Sequence, residues 1–306
     1  MIEIKNLSVS FASGVPVLDS MDLTVHDGRK TVVIGESGSG KSIMLCAILH
    51  ILPPYATVSG SVCLNSQELL DMKEKELRKL WGAQLAYIPQ GSSNSLNPLM
   101  PVGFQVAEPL MVQKKENRPK ALQKAVQWMK KLKFGDEDKL AHAYPHTLSG
   151  GMKQRVMIAM GVIAGAELLL ADEPTKGLDS ERIEAVIELI KRLEDKTMLC
   201  VSHDLQFARA IADDISVMYA AQQVEHCTCE EFFSEPLHPY SKLMLAAMPE
   251  NGLQVTTGFA PPNSNTADGC RFMTRCPFAH EQCYLPPPFL SVGSRKVRCH
   301  LYANSC

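Results

Sequence analysis

Gly35-Glu36-Ser37-Gly38-Ser39-Gly40-Lys41-Ser42 stands between two apolar stretches, Thr31-Val32-Val33-Ile34 and Ile43 to Leu49. The first reads as a buried strand and the second as a helix. A strand, then G-x-x-x-x-G-K-[ST], then a helix is the context in which this pattern forms a phosphate-binding loop. Glycines let the backbone curl into a nest whose N–H groups, with the helix N-terminus, point at an anion. Lys41 then reaches the β- and γ-phosphates, and the Ser42 hydroxyl is placed as a Mg²⁺ ligand. A Gly/Ser-rich turn with an incidental lysine is the weaker reading, because the full pattern stands in the right context.

A chain of 306 residues suffices for one large or two modest domains with a real core. The 31 Lys and Arg against 33 Asp and Glu give a net charge of −2, which leaves no electrostatic footprint for nucleic acid. Met1-Ile2-Glu3-Ile4-Lys5 is not a basic-then-apolar signal, and the longest apolar run, Val156 to Ala171, is too short for a membrane span. The expectation is a soluble, cytosolic chain that docks on a membrane partner. Ten cysteines in that compartment argue against disulfides. Cys270, Cys276, Cys283, Cys299 and Cys306 crowd the C-terminal end, which points to a separate metal-binding tail.

Strands are expected over 2–11, 17–25, 58–64 and 85–88, with a turn at Asp27-Gly28 leading into the phosphate loop. Residues 91–109, rich in Asn, Ser, Pro and Gly, read as a loop or helix-connecting segment, and 119–133 as an amphipathic helix. Together, about 91–153 form a helical insert. Beyond it come a helix from Gly151, a buried strand over 167–172, a helix over 180–191, and strands over 198–201 and 215–218 around a helix at 205–212. Strands alternating with helices imply right-handed crossovers and a largely parallel α/β sheet. Past about residue 226 the pattern fades into Pro-rich segments. The domains read as 1–225 and a C-terminal extension, 226–306.

Leu168-Leu169-Leu170-Ala171-Asp172-Glu173 ends an apolar strand in two acids. Beside a phosphate loop, Asp172 would hold Mg²⁺ and Glu173 would orient or deprotonate the attacking water. Leu148-Ser149-Gly150-Gly151 opens a helix and makes a second anion cradle, or an ordinary Ser/Gly cap. One site does not need two distant cradles. A dimer in which each closes on the other's ATP would use both.

With these residues in view, the chain resembles the nucleotide-binding subunit of an ABC transporter, an α/β P-loop ATPase with an antiparallel β subdomain. The resemblance runs in order through Walker A (Gly35 to Ser42), the Q-loop Gln90, the signature (Leu148 to Gly151), Walker B (Leu168 to Glu173), the D-loop Asp179 and the switch His203. It implies that Phe11 stacks on adenine, although a plain core strand residue is the alternative. It further implies that Gln90 contacts Mg²⁺ or the lytic water, that His203 bonds the γ-phosphate, and that Ser149, Gly150 and Gly151 touch the partner's γ-phosphate. Two permease subunits, a second ATPase (a paralogue) and an extracytoplasmic solute-binding protein follow as partners. The implied place is the cytoplasmic face of the inner membrane, as a peripheral subunit.

Gln90-Gly91-Ser92-Ser93-Asn94-Ser95-Leu96-Asn97-Pro98, His238-Pro239-Tyr240-Ser241 and Cys270-Arg271-Phe272-Met273-Thr274-Arg275-Cys276-Pro277 resemble the oligopeptide/dipeptide/nickel importer branch. The spacing C-x5-C-x6-C-x15-C from Cys270 to Cys299 suits zinc or an iron–sulfur cluster. Tight C-x2-4-C pairs are missing, Cys276-Pro277 matches the Cys-Pro step of ferredoxins, and tails of this branch imply a four-iron cluster. Zinc and metal-free thiols stay open, and Cys306 is either spare or a replacement for Cys299. Three features depart from the family pattern: Thr175-Lys176-Gly177-Leu178-Asp179 in the D-loop, Ala220-Ala221 where a glycine hairpin is usual, and the Cys227/Cys229 pair, read as inert on a strand edge. The implied activity is ATP hydrolysis driving import of peptides or nickel complexes. Rival readings are a soluble ABC-type ATPase and an iron–sulfur regulatory module uncoupled from transport.

Overall fold

The computed structural model describes residues 1–12, 14–91, 95–193, 195–253, 258 and 269–303, in two compact units, Met1–Asp71 with Val201–Cys306 and Met72–Cys200. Ser92-Ser93-Asn94, Pro261-Pro262 and Cys306 lie outside the described residues. The first unit opens with β1 (Ile2–Ser10), β2 (Pro16–Val25), β3 (Lys30–Gly35), α1 (Lys41–Ile48), β4 (Thr57–Leu64) and β5 (Gln67–Glu68). The second holds α2 (Glu74–Leu80), β6 (Leu85–Ile88), α3 (Val102–Gln113), α4 (Arg118–Lys131), α5 (Glu137–His142), α6 (Gly150–Ile163), β7 (Leu168–Asp172) and α7 (Ser180–Lys191). β8 (Thr197–Ser202) leads back to α8 (Leu205–Ile211), β9 (Asp214–Tyr219), β10 (Gln222–Thr228), α9 (Cys229–Ser234), α10 (Pro239–Ala246), β11 (Phe289–Val292) and β12 (Arg295–Arg298).

β1 buries Ile2, Ile4, Leu7 and Val9 and pairs antiparallel with β2 and β4, while β5 adds to β4. That is the expected antiparallel subdomain. β3 differs, because Thr31 to Gly35 are all buried, the pattern of a strand covered on both faces. It runs parallel to β9 from Thr31↔Asp214 to Gly35↔Met218, so Met218 is fixed beside the start of the phosphate loop. In the second unit β6 and β7 pair in parallel, from Leu85↔Leu168 to Ile88↔Ala171.

Of the loop or helix-connecting segment expected over 91–109, the part from Val102 onward is helical. α3 starts at Val102 and runs through Pro109. Val102, Val106 and Leu110 fall four residues apart and are buried, and that stripe outweighs the hydrogen bond Pro109 forfeits. Buried Gln105 organises the approach: it accepts from the Asn97 N–H and donates to Asn97 O, both at 2.9 Å, and donates to Met100 O at 2.8 Å.

β11 and β12 form a hairpin, and β12 adds to β10 through Glu225↔Val297 and His226↔Lys296. The extension therefore grows from the sheet that supports the phosphate loop. Cys227 lies buried on β10, which β9 and β12 flank, and Cys229 opens α9, so the expected strand-edge pair does not exist.

β9 turns into β10 through Ala220 and Ala221, at φ 45° and 68°. Two left-handed residues form a type I′ turn, where Asn-Gly is the usual pair. The strained alanines are tied down: Ala220 O accepts from Arg271 Nη1 at 2.6 Å, and Ala221 O from the Asp19 N–H at 2.8 Å. Ala221→Gly relieves the backbone strain and is expected to raise stability by about 1 kcal/mol in urea unfolding. A loss of stability would show that the turn is unstrained.

Candidate active site

The phosphate loop needs glycine for contact reasons. Gly40, the N-cap of α1, has φ 99°, and a Cβ there would lie 2.5 Å from Val17 O. At Gly35 a Cβ would lie 2.2 Å from Met218 O. Buried Lys41 folds back over the loop, where its Nζ donates to Gly35 O at 2.8 Å and to Glu36 O at 2.9 Å. The Ser39 N–H closes the turn onto Glu36 O at 3.2 Å. This is a preformed cradle with a cation at its rim, the chemistry a polyphosphate requires. Ser42 follows at the second helical position.

Phe11 comes directly after β1, half-buried, with its ring centroid 5.9 Å from that of Tyr55. Tyr55 is exposed and is not legible as a partner in the sequence, since a lone tyrosine after Pro53-Pro54 makes no pattern. His203 is exposed just past β8, and Asp204 caps α8 by accepting from the Phe207 N–H at 3.0 Å.

In the second unit β7 is buried throughout and delivers Asp172 and Glu173 at its C-terminal end, 4% and 9% exposed. Tyr87 Oη donates to Asp172 Oδ2 at 3.4 Å. Burial, with the fields of Glu173 and Asp172, pushes the Cys200 thiol well up, so Cys200 stays protonated beside the acids. Glu173 has φ 47° although it is not glycine and precedes Pro174. Strain of that kind concentrates at functional sites. Ser149 caps α6, its Oγ accepting from the Met152 N–H at 3.3 Å. Asp179 caps α7, taking the Arg182 N–H at 3.0 Å and pairing with Arg182 Nη1 at 3.2 Å. A Cβ at Gly151 would meet Arg182 Cγ at 3.0 Å, so Arg182 joins the two helix starts. Gln90 is exposed after β6. Within its own unit each residue expected at Mg²⁺ offers a hard oxygen of the kind that ion takes: the Ser42 hydroxyl in the first, the Asp172 carboxylate and the Gln90 amide oxygen in the second.

The first unit thus holds Phe11, Gly35, Glu36, Ser37, Gly38, Ser39, Gly40, Lys41, Ser42, His203 and the cysteine tail. The second holds Gln90, Ser149, Gly150, Gly151, Asp172, Glu173 and Asp179.

In the tail, the Cys270 N–H donates to Cys283 O at 2.8 Å. Burial pushes the Cys270 thiol up to about 11, and Cys283, Cys299 and Cys276 add to the shift. Burial also raises Cys299, with contributions from Cys276 and Cys283, and raises Cys276, with one from Cys283. Thiolates are the soft donors that zinc and iron–sulfur clusters take. Among the described residues, however, no group of three or more His, Cys, Asp or Glu is arranged to hold a metal ion.

The His238-Pro239-Tyr240-Ser241 stretch has a clear local logic. Pro239 takes the first position of α10, where its missing N–H costs nothing. His238 Nδ1 caps the helix, accepting from the Tyr240 N–H at 3.0 Å. Burial holds the His238 imidazole neutral, its pKa down at about 3, against the opposing hydrogen bond to the Arg298 backbone. Unfolded, it would titrate near 6.5, so below that pH the unfolded chain binds the extra proton and the fold loses stability. Unfolding free energy is expected to fall by about 1.4 kcal/mol per pH unit below that point on this account. His238→Asn keeps the cap acceptor without the titration, and should flatten the denaturation profile between pH 6.5 and about 5.

A phosphate loop between a buried parallel strand and a helix, with a second strand ending in Asp-Glu, defines a P-loop ATPase. Residues 18–176 match the family model described as "ABC transporter", and 224–283 match "Oligopeptide/dipeptide transporter, C-terminal region". The chain is 36% identical to the oligopeptide transport ATP-binding protein AppD of Bacillus subtilis, over 99% of this chain and 97% of that one. It is 36% identical to the oligopeptide transport ATP-binding protein OppD of Escherichia coli, over 97% of this chain and 92% of the relative. Among solved structures, the dimeric bacterial ABC transporter cassette MJ0796 superposes with a TM-score of 0.67 at 28% identity, over 75% of this chain and 99% of that one. The chain belongs to the ABC transporter ATPase family, joined to a C-terminal region of the oligopeptide/dipeptide transporter type. It is an ATP hydrolase. No helix of the described residues is long and apolar enough to cross a membrane.

Proposed function

We propose that this chain powers peptide import as a peripheral subunit on the cytoplasmic face of the membrane. Residues 1–225 serve as the ATPase domain, with the helical part over about 91–153, and 226–306 as the extension. The observation that carries this reading is the continuity of ATPase motifs with an oligopeptide/dipeptide-type C-terminal region in one chain. Peptides are favoured over nickel or metal chelates because the relatives named above are oligopeptide transport proteins. A second ATPase, a paralogue, supplies the opposite half of each site. There Ser149, Gly150 and Gly151 of one subunit meet the γ-phosphate held by Gly35 to Ser42 of the other. Mg²⁺, when bound, would neutralise charge on the phosphates; Asp172, Ser42 and Gln90 would hold it, Glu173 would take the proton of the attacking water, and His203 would steady the γ-phosphate.

Two permease subunits receive the closing motion, and a solute-binding protein delivers the cargo. The Gln90–Pro109 region is the contact we assign to the permease subunits. Reconstitution with its permease and binding protein in vesicles is the direct test. ATP-dependent uptake of a labelled tripeptide supports the reading, whereas uptake of nickel alone overturns it.

For the tail, the same proposal places a four-iron four-sulfur cluster on Cys270, Cys276, Cys283 and Cys299, with zinc as the other occupant. Such a group would tie the segments carrying these cysteines together. Anaerobic reconstitution with iron and sulfide should give thiolate-to-iron absorbance, and a colourless, iron-free protein would sink the cluster.

A further inference from the structure

Glu36, the first variable residue of the phosphate loop, is gripped at two atoms by the C-terminal extension. Its backbone N–H donates to Tyr240 Oη at 3.2 Å, and its carboxylate Oε1 accepts from Arg275 Nη1 at 2.9 Å. These partners lie 204 and 239 residues along the chain. Arg275 is no surface charge: its side chain is 5% exposed, against 37% for Glu36. The guanidinium also donates to Tyr219 Oη at 3.2 Å and lies over the Tyr219 and Phe272 rings, at 5.5 and 5.8 Å from their centroids. Those rings form one platform with Tyr240, at centroid distances of 4.6 Å (Tyr219–Tyr240), 5.1 Å (Tyr219–Phe272) and 5.5 Å (Tyr240–Phe272). A second clamp, Arg271 to Asp19 and Ala220 O, fixes the same lobe to β2 and the β9–β10 turn.

We propose that Arg275 and Tyr240 are positioning residues of the nucleotide site, so that the C-terminal extension completes the phosphate loop. A carboxylate one residue inside an anion nest opposes a polyphosphate. Arg275 neutralises that charge and fixes where it points. Tyr240 engages the Glu36 N–H, which sets the direction in which the following amides leave the strand. Lys41 holds the Glu36 carbonyl at 2.9 Å, so this residue is restrained at its N–H, its carbonyl and its side chain.

The expected signature depends on ligand charge. Removing Arg275 leaves a partly buried carboxylate uncompensated beside the phosphates, and the penalty grows with the charge brought in. In the purified full chain, Arg275→Gln is expected to weaken MgATP binding about tenfold, ADP less and adenosine least. The KM for ATP rises while kcat is kept. The double variant E36Q/R275Q should recover most of the lost affinity, because the uncompensated charge is gone. Tyr240→Phe, which removes a single acceptor, should raise KM about threefold at the same kcat.

Equal affinity of R275Q and the parent chain for MgATP overturns the proposal. So does a uniform loss for ATP, ADP and adenosine that E36Q does not relieve, since that is simple destabilisation. Should R275Q not fold, Y240F decides by the same KM-against-kcat split, and an unchanged KM refutes the role. A parent chain that binds no ATP would refute the ATPase assignment instead, so the two failures are distinct.

Discussion

Glu173→Gln is expected to cut ATP turnover by about 10²–10⁴-fold, the range for losing a positioned general base, while MgATP affinity stays within a few-fold. Glu173 follows a fully buried strand, is 9% exposed itself, and is held at φ 47° ahead of Pro174. That geometry fixes where its carboxyl points without relying on flexible packing. The amide keeps size and polarity but takes no proton, so binding contacts persist and proton transfer fails. Single-turnover phosphate release beside equilibrium nucleotide binding separates the two. Turnover within about threefold of the parent chain would remove Glu173 from the role. A parallel loss of binding would mean that the substitution disturbed the left-handed turn, in which the Lys176 N–H donates to Glu173 O at 3.1 Å.

What the sequence makes legible is contiguous chemistry. The phosphate loop, the Asp172-Glu173 strand end and the Ser149 helix start each sit within a few residues, and local rules for turns, caps and burial suffice to place them. The antiparallel strands that open the chain are legible for the same reason, through the alternation of Ile2, Ile4, Leu7 and Val9. Helix α3 is not, because Pro109 and the Asn/Pro-rich approach mask a buried stripe that only tertiary packing rewards. The Ala220-Ala221 turn breaks the local preference outright and persists because Arg271 and Asp19 hold its carbonyls from distant parts of the chain. The Arg275–Glu36 contact spans 239 residues, and no periodicity encodes a contact of that kind. Even so, the His238-Pro239-Tyr240-Ser241 and Cys270 to Pro277 stretches stand out as patterns, and their grip on the phosphate loop supplies a physical reason for both.

Gly40→Ala is expected to destabilise the fold by about 3 kcal/mol and abolish measurable nucleotide binding, through strain and a backbone contact acting together. At φ 99° any L-residue is strained, and the added Cβ would also press on Val17 O at 2.5 Å, with Met218 Cε at 3.3 Å and Leu18 Cδ1 at 3.6 Å. A side chain could swing away. Val17 O cannot, because β2 is pinned on one side by β1 and on the other by Gln222↔Asp19. The loop must therefore shift, and with it the first-turn amides of α1 that would face the phosphates of a bound nucleotide. Gly38 provides the internal control, with φ 82° and nothing within 4 Å of the place a Cβ would take. Gly38→Ala should cost only the conformational strain, about 1 kcal/mol, and keep most nucleotide affinity. Urea unfolding and MgATP binding of the two variants side by side separate strain from contact. If both lose the same stability and the same affinity, the Val17 contact plays no part and glycine is needed at Gly40 for its backbone angle alone.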